Sequence, residues 1–98
     1  MINVTIKNDY IEISGHAKQN EYGKDIVCAS VSTAIIMTIN QVDLCGLLDN
    51  ITYKLDEGLA SITIIKETTL LRQIIDNLVY SLTDLSNTYP KYLKIDKK

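Results

Sequence analysis

The chain carries one histidine and two cysteines in ninety-eight residues. These three residues, His16, Cys28 and Cys45, are too few for a four-ligand zinc site built from cysteine and histidine alone. No metal site and no cofactor is expected. Two cysteines also exclude a disulfide-rich scaffold. An excess of one charge is lacking too: ten basic residues stand against twelve acidic ones, a formal net charge of -2. That balance argues against a broad nucleic-acid-binding face. There is no internal repeat, low-complexity tract or linker. The start, Met1 to Lys7, alternates apolar and polar residues, unlike the continuous apolar stretch of a signal peptide. The longest uncharged run, Ile26 to Val42, includes Ser30, Ser32, Thr33, Thr38, Asn40 and Gln41, which makes it too polar for a membrane span. Free thiols without a leader point to the cytoplasm of a cell with a reducing interior.

What is present is an ordinary globular composition. Hydrophobic residues make up 46% and charged residues 22%. A chain of this length buries roughly two-thirds of the surface it exposes when unfolded, enough for a core in one domain spanning residues 1–98.

Hydrophobic periodicity divides the chain into seven elements. Ile2, Val4 and Ile6 alternate with Asn3, Thr5 and Lys7, and Ile11 and Ile13 alternate with Glu12 and Ser14. Asn8-Asp9 between them suits a tight turn, so this stretch reads as a hairpin. Gly15 to Gly23 is a polar segment with glycine at both ends. A helix is expected from Asp25, as N-cap, to about Leu44, with Gly46 ending it. It is apolar over much of its circumference, as a buried helix is. Ile51 to Leu55, an Asp56-Glu57-Gly58 turn and Leu59 to Ile65 form a second hairpin. A second helix is expected over Thr69 to Ser86, where Leu70, Leu71, Ile74, Ile75, Leu78, Val79, Leu82 and Leu85 share one face. Pro90 breaks it, and Tyr92 to Ile95 reads as a last short strand. The order is ββαββαβ: an α+β domain, with a mainly antiparallel sheet packed with two helices.

Two residues carry candidate chemistry. His16 stands where the second strand ends, and Cys28 stands in the first turn of the expected helix. The twelve residues between them include a loop able to fold back. A helix N-terminus and a neighbouring imidazolium favour a thiolate. A thiolate attacks a carbonyl carbon, an imidazole protonates the leaving amine, and backbone N–H groups of the first turn stabilise the oxyanion. Asp25 orients His16 or caps the helix. Tyr22, on the loop, is the tyrosine best placed for substrate contact. From residue types alone, a cysteine such as Cys28 is more often a small buried hydrophobe, and a glycine-flanked loop is more often a solvated connection.

The local string is more specific. Gly15-His16-Ala17, followed by Tyr22-Gly23-Lys24-Asp25-Ile26-Val27-Cys28-Ala29 and Ser32, resembles the ribosomal-processing cysteine protease family, Prp. Its members carry a GHA motif, a short variable loop, then G-x-DIVCA and a helix of small residues. The resemblance implies a cysteine endopeptidase that removes an apolar, aromatic N-terminal extension from large-subunit ribosomal protein number twenty-seven. It implies that Cys28 is the nucleophile and His16 its base and acid. It further implies that Gly15 and Asp25 shape the site and that Ser32 lies near the substrate. A homodimer and a moving loop over the peptide are implied as well.

Cys45 receives no role. On one helix it would stand about 25 Å from Cys28, beyond disulfide reach. The tail lysines, Lys91, Lys94, Lys97 and Lys98, read as a solvated, fraying terminus rather than an RNA contact. Tyr53 is placed by alternation in the core or at an interface. Two further functions compete with the protease. One is a non-catalytic, ribosome-associated binding module of the same fold, and the other is a thiol redox sensor centred on Cys28.

Overall fold

Alternating residues do become two hairpins. A computed structural model describes residues 1–15 and 22–98, with side chains of the first helix described from Ile26 onward. The strands are β1 (Ile2–Ile6), β2 (Tyr10–Ser14), β3 (Ile51–Asp56), β4 (Leu59–Ile64) and β5 (Leu93–Lys97). The helices are α1 (Tyr22–Leu44) and α2 (Thr69–Thr88), so the expected ββαββαβ order holds. The sheet runs β3-β4-β2-β1-β5, antiparallel throughout except for the parallel pair β1 and β5.

Register puts the apolar residues in phase. Val4 pairs with Ile13, Ile11 with Ile62, and Ile2 with Leu93, so all six point to one face and are buried there. The other face carries Thr5, Glu12 and Ser61 in a row across three strands. Both helices therefore cover the apolar face, where they pack against each other. The result is two layers with one core between them.

On α1, Val27, Val31, Ile35, Ile39 and Val42 are buried against the sheet. By length and composition, Ile26–Leu44 is apolar enough to cross a membrane. A third of that stretch is buried, and its buried stripe faces the core. The helix ends as expected at Gly46, whose φ of 72° is in the left-handed region. The Gly46 N–H donates to Asp43 (2.9 Å) and the Leu47 N–H to Val42 (2.9 Å), the bond pair of a Schellman motif. On α2, the Thr68 hydroxyl accepts from the Leu71 N–H at 3.1 Å and caps the helix. Leu71, Ile75, Leu78 and Leu82 are its buried stripe. Fully burying each leucine stabilises the fold by about 1.5–3 kcal/mol. Arg72 donates from Nη2 to the Asn8 carbonyl at 2.7 Å, which ties the start of α2 to the first hairpin turn.

Two expectations change and a third, core or interface for Tyr53, is narrowed. α1 begins at Tyr22, so Asp25 lies inside its first turn and is not its N-cap. The lysine tail does not fray: β5 runs on to Lys97, and the Lys98 N–H donates to the Ile6 carbonyl at 2.8 Å. The side chains of Lys91, Lys94, Lys97 and Lys98 are nonetheless exposed. Tyr53 is not in the core. It lies on the same face as Ile51, but β3 is an edge strand beyond the cover of the helices, and Tyr53 is 47% exposed.

Candidate active site

Three elements meet at one end of the sheet. β2 ends there at Ser14, the β3–β4 turn lies beside it, and α1 passes above. Between them is a small cavity of about 90 Å³, with Gly15, Cys28, Ser32, Asp56, Gly58 and Ala60 among its lining residues. Cys28 is a half-buried free thiol, packed at the margin of the core beside fully buried Val27. Ser32, one helical turn further on, is exposed on the same wall.

Gly15 is where the chain turns out of the sheet. Its φ is +125°, a conformation that residues with side chains rarely adopt. A Cβ there would also run into the Met1 carbonyl oxygen. The Gly15 N–H donates to the Gly58 carbonyl at 3.0 Å, and Gly58 itself has a φ of 77°. Glycine at both positions thus allows two chain segments to meet at the cavity wall. His16 is the next residue in the chain and lies outside the described residues, as do the side chains of Tyr22 and Asp25.

The longer helix also moves one expected feature. Cys28 is six residues beyond Tyr22, in the second turn. Its own N–H belongs to the interior hydrogen-bond ladder, and the free donors of the first turn lie from about 6 Å (Lys24) to about 9 Å (Tyr22) away along the axis. Cys28 therefore stands one turn beyond the first-turn N–H groups expected around it, rather than among them.

The structure brings Gly15, Cys28 and Ser32 to the lining of one cavity. It adds Asp56, Gly58 and Ala60, which the sequence reading missed. Gly58 was legible as a turn residue, but only the pairing of β2 with β4 brings that turn to the site. Cys45 lies elsewhere: it follows the last residue of α1, and its sulfur accepts from Gln41 Nε2 at 3.1 Å. Both cysteines are free.

The model of the family described as cysteine protease Prp matches residues 1–94. The chain belongs to the Prp cysteine protease family. It is, accordingly, a peptide hydrolase with a cysteine nucleophile as its class. Solved structures share the fold over its whole length. An essential ribosomal processing protease Prp from S. aureus, in complex with a substrate peptide, aligns with a TM-score of 0.88 at 24% identity, covering 100% of both chains. The same S. aureus protease with a covalently linked product peptide gives 0.82 at 26% identity, again over 100% of both. A protein from Streptococcus mutans gives 0.75 at 23% identity, covering 98% of this chain and 90% of that one. No curated protein matches the chain. Within the Prp family, the GHA and DIVCA strings occur here as Gly15-His16-Ala17 and Asp25-Ile26-Val27-Cys28-Ala29.

Proposed function

We propose that this Prp protein removes the N-terminal extension of a precursor of large-subunit ribosomal protein number twenty-seven, with Cys28 as nucleophile and His16 as base and acid. The observation that carries the reading is the shared cavity. Gly15 and Cys28 line the same small opening, and His16 is the covalent neighbour of Gly15. The S. aureus relative described as a ribosomal processing protease, caught with substrate and with covalently linked product, supports it.

In this mechanism the Cys28 thiolate attacks the scissile carbonyl carbon, and its electron pair forms the C–S bond as the carbonyl becomes an oxyanion. Collapse breaks the C–N bond, and His16 delivers a proton to the leaving amine. Water, deprotonated by His16, then releases the acyl group and restores the thiol. Gly15 and Asp25 shape the site, Ser32 lies near the substrate on the cavity wall, and Tyr22 contacts the peptide. The enzyme works as a cytoplasmic homodimer, without cofactor or metal.

The test is cleavage of a peptide spanning the extension and the mature N-terminus, by wild type, Cys28→Ala and His16→Ala. Cleavage by the wild type alone is the expected result. Binding without cleavage by the wild type would replace the protease with a binding module. Cleavage surviving in Cys28→Ala would remove the nucleophile assignment.

A further inference from the structure

The edge strand β3 has an apolar side that nothing covers. Ile51, Tyr53 and Leu55 share the helix-facing side of the sheet, yet Tyr53 and Leu55 are 47% and 48% exposed while Ile51 is buried. Alternation of this kind ordinarily marks a half-buried strand. Among the described residues, no strand pairs with its outer edge.

The flank of α1 overhangs the same place. α2 lies along the side of α1 that carries Ala34, Thr38 and Gln41. Ile36 is two residues past Ala34, about 200° around the helix, so it projects away from α2 and toward the β3 side. It is 50% exposed. Ser32, one turn before Ile36, lines the Cys28 cavity. Leu55 pairs with Ala60, which lines that cavity too. An apolar corner between α1 and β3 is therefore continuous with the site.

The main chain of β3 is also available. Glu57 and Gly58 form a two-residue turn closed by Asp56 and Leu59. In such a hairpin the closing pair exchanges hydrogen bonds, so the N–H and C=O groups of Leu55 and Tyr53 point to the free edge. Leu55 and Tyr53 are two residues apart, about 7 Å along the strand. That is the repeat of alternate side chains in an extended peptide.

We infer that Ile36, Tyr53 and Leu55 form a specificity subsite for alternate apolar side chains of the peptide substrate, bound extended along β3. This rests on the peptidase reading above and adds the residues that select the sequence. β-strand addition supplies affinity through the main chain, and the corner supplies selectivity through side chains.

Two fluorogenic peptides test it with the full chain. One spans the ribosomal-protein extension and its cleavage junction. In the other, the apolar residues outside the scissile pair are replaced by serine. The wild type is expected to show a KM about tenfold lower for the first, the scale of selectivity of an apolar pocket. Leu55→Gln and Tyr53→Ser are each expected to abolish that difference by raising KM for the apolar peptide, with kcat unchanged. Variants that keep the preference overturn the inference. So does equal KM for both peptides with the wild type, which leaves the peptidase reading intact. Sedimentation at assay concentration gives a third arm. Variants that become monomeric where the wild type is a dimer, and lose kcat with it, assign the corner to a second copy of the chain and overturn the subsite. Cleavage of neither peptide by the wild type removes the peptidase reading and the subsite together.

Discussion

Gly15 donates its N–H to the carbonyl of Gly58, so the end of β2 is fastened to the β3–β4 turn across 3.0 Å. The same residue lies under the Met1 carbonyl in a conformation that glycine adopts freely. Replacing it imposes both backbone strain and a backbone clash. Gly15→Ala is expected to destabilise the fold by about 1–3 kcal/mol in urea denaturation. It is also expected to reduce kcat/KM for peptide cleavage under conditions where the variant remains folded. A folded Gly15→Ala protein with wild-type kcat/KM would show that this junction does not shape the site.

The two thiols are expected to behave differently. Cys28 lines the cavity and Cys45 terminates α1 beside Gln41. Cys45→Ala should leave cleavage unchanged, and Cys28→Ala should abolish it. A peptidyl chloromethyl ketone built on the extension sequence should add to Cys28 alone, as read by mass spectrometry of tryptic fragments. Modification of Cys45 at a comparable rate would contradict the assignment.

The open face of the sheet offers a pH test away from the site. Tyr10 donates its hydroxyl to Glu12 Oε1 at 2.8 Å. That hydrogen bond to Glu12, aided by burial and by the carboxylate charge, raises the Tyr10 pKa above its ordinary value of 10.0. The protonated phenol is thus favoured in the folded state. The unfolded chain loses its proton first, so the stabilisation is complete below pH 10.0 and is lost as pH rises through the folded value. Ultraviolet titration of Tyr10 against a Tyr10→Phe reference should place its midpoint above that of a free tyrosine, and Glu12→Gln should lower it. No change on that substitution would refute the role of the bond.

Thr68 separates stability from chemistry. Its hydroxyl caps α2 through Leu71, at the opposite end of the sheet from the Gly15–Cys28 cavity. Thr68→Ala is expected to cost about 1 kcal/mol in denaturant unfolding and to leave kcat unaltered. A fall in kcat with the loss of the cap would couple α2 to the site.

Local patterns predicted the local structure. Ile2-Val4-Ile6 and Ile11-Ile13 alternate over a face that is buried, and the stripe from Leu71 to Leu82 is the buried side of α2. Gly46 was legible as a stop because a left-handed residue is what the end of α1 requires. The start of α1 was not. Gly23 read as a loop boundary and Asp25 as a cap, yet the helix includes both. A helical glycine is unfavourable by only about 1 kcal/mol, which tertiary context readily overrides. Part of the candidate cavity, Gly15 and Cys28, was singled out by the motif. The wall made by Asp56, Gly58 and Ala60 was not, because it depends on β4 pairing with β2, far away in sequence. For Tyr53 the choice between core and interface stayed open for a similar reason: alternation reports a face, and only strand order shows whether that face is covered.

The parallel pairing of β1 with β5 has a consequence for how the enzyme comes into being. The Ile2 N–H donates to the Tyr92 carbonyl, and the Lys98 N–H to the Ile6 carbonyl. Segments some ninety residues apart in sequence are thereby laced together, a contact of long loop length and slow to close. Until residues 93–97 have been synthesised, β1 remains an open edge and the apolar face above it lacks Leu93. The Met1 carbonyl that presses on Gly15 is part of the segment this lacing holds down. A chain lacking residues 93–97 therefore leaves β1 unpaired and the Met1–Gly15 junction without the strand that fastens it.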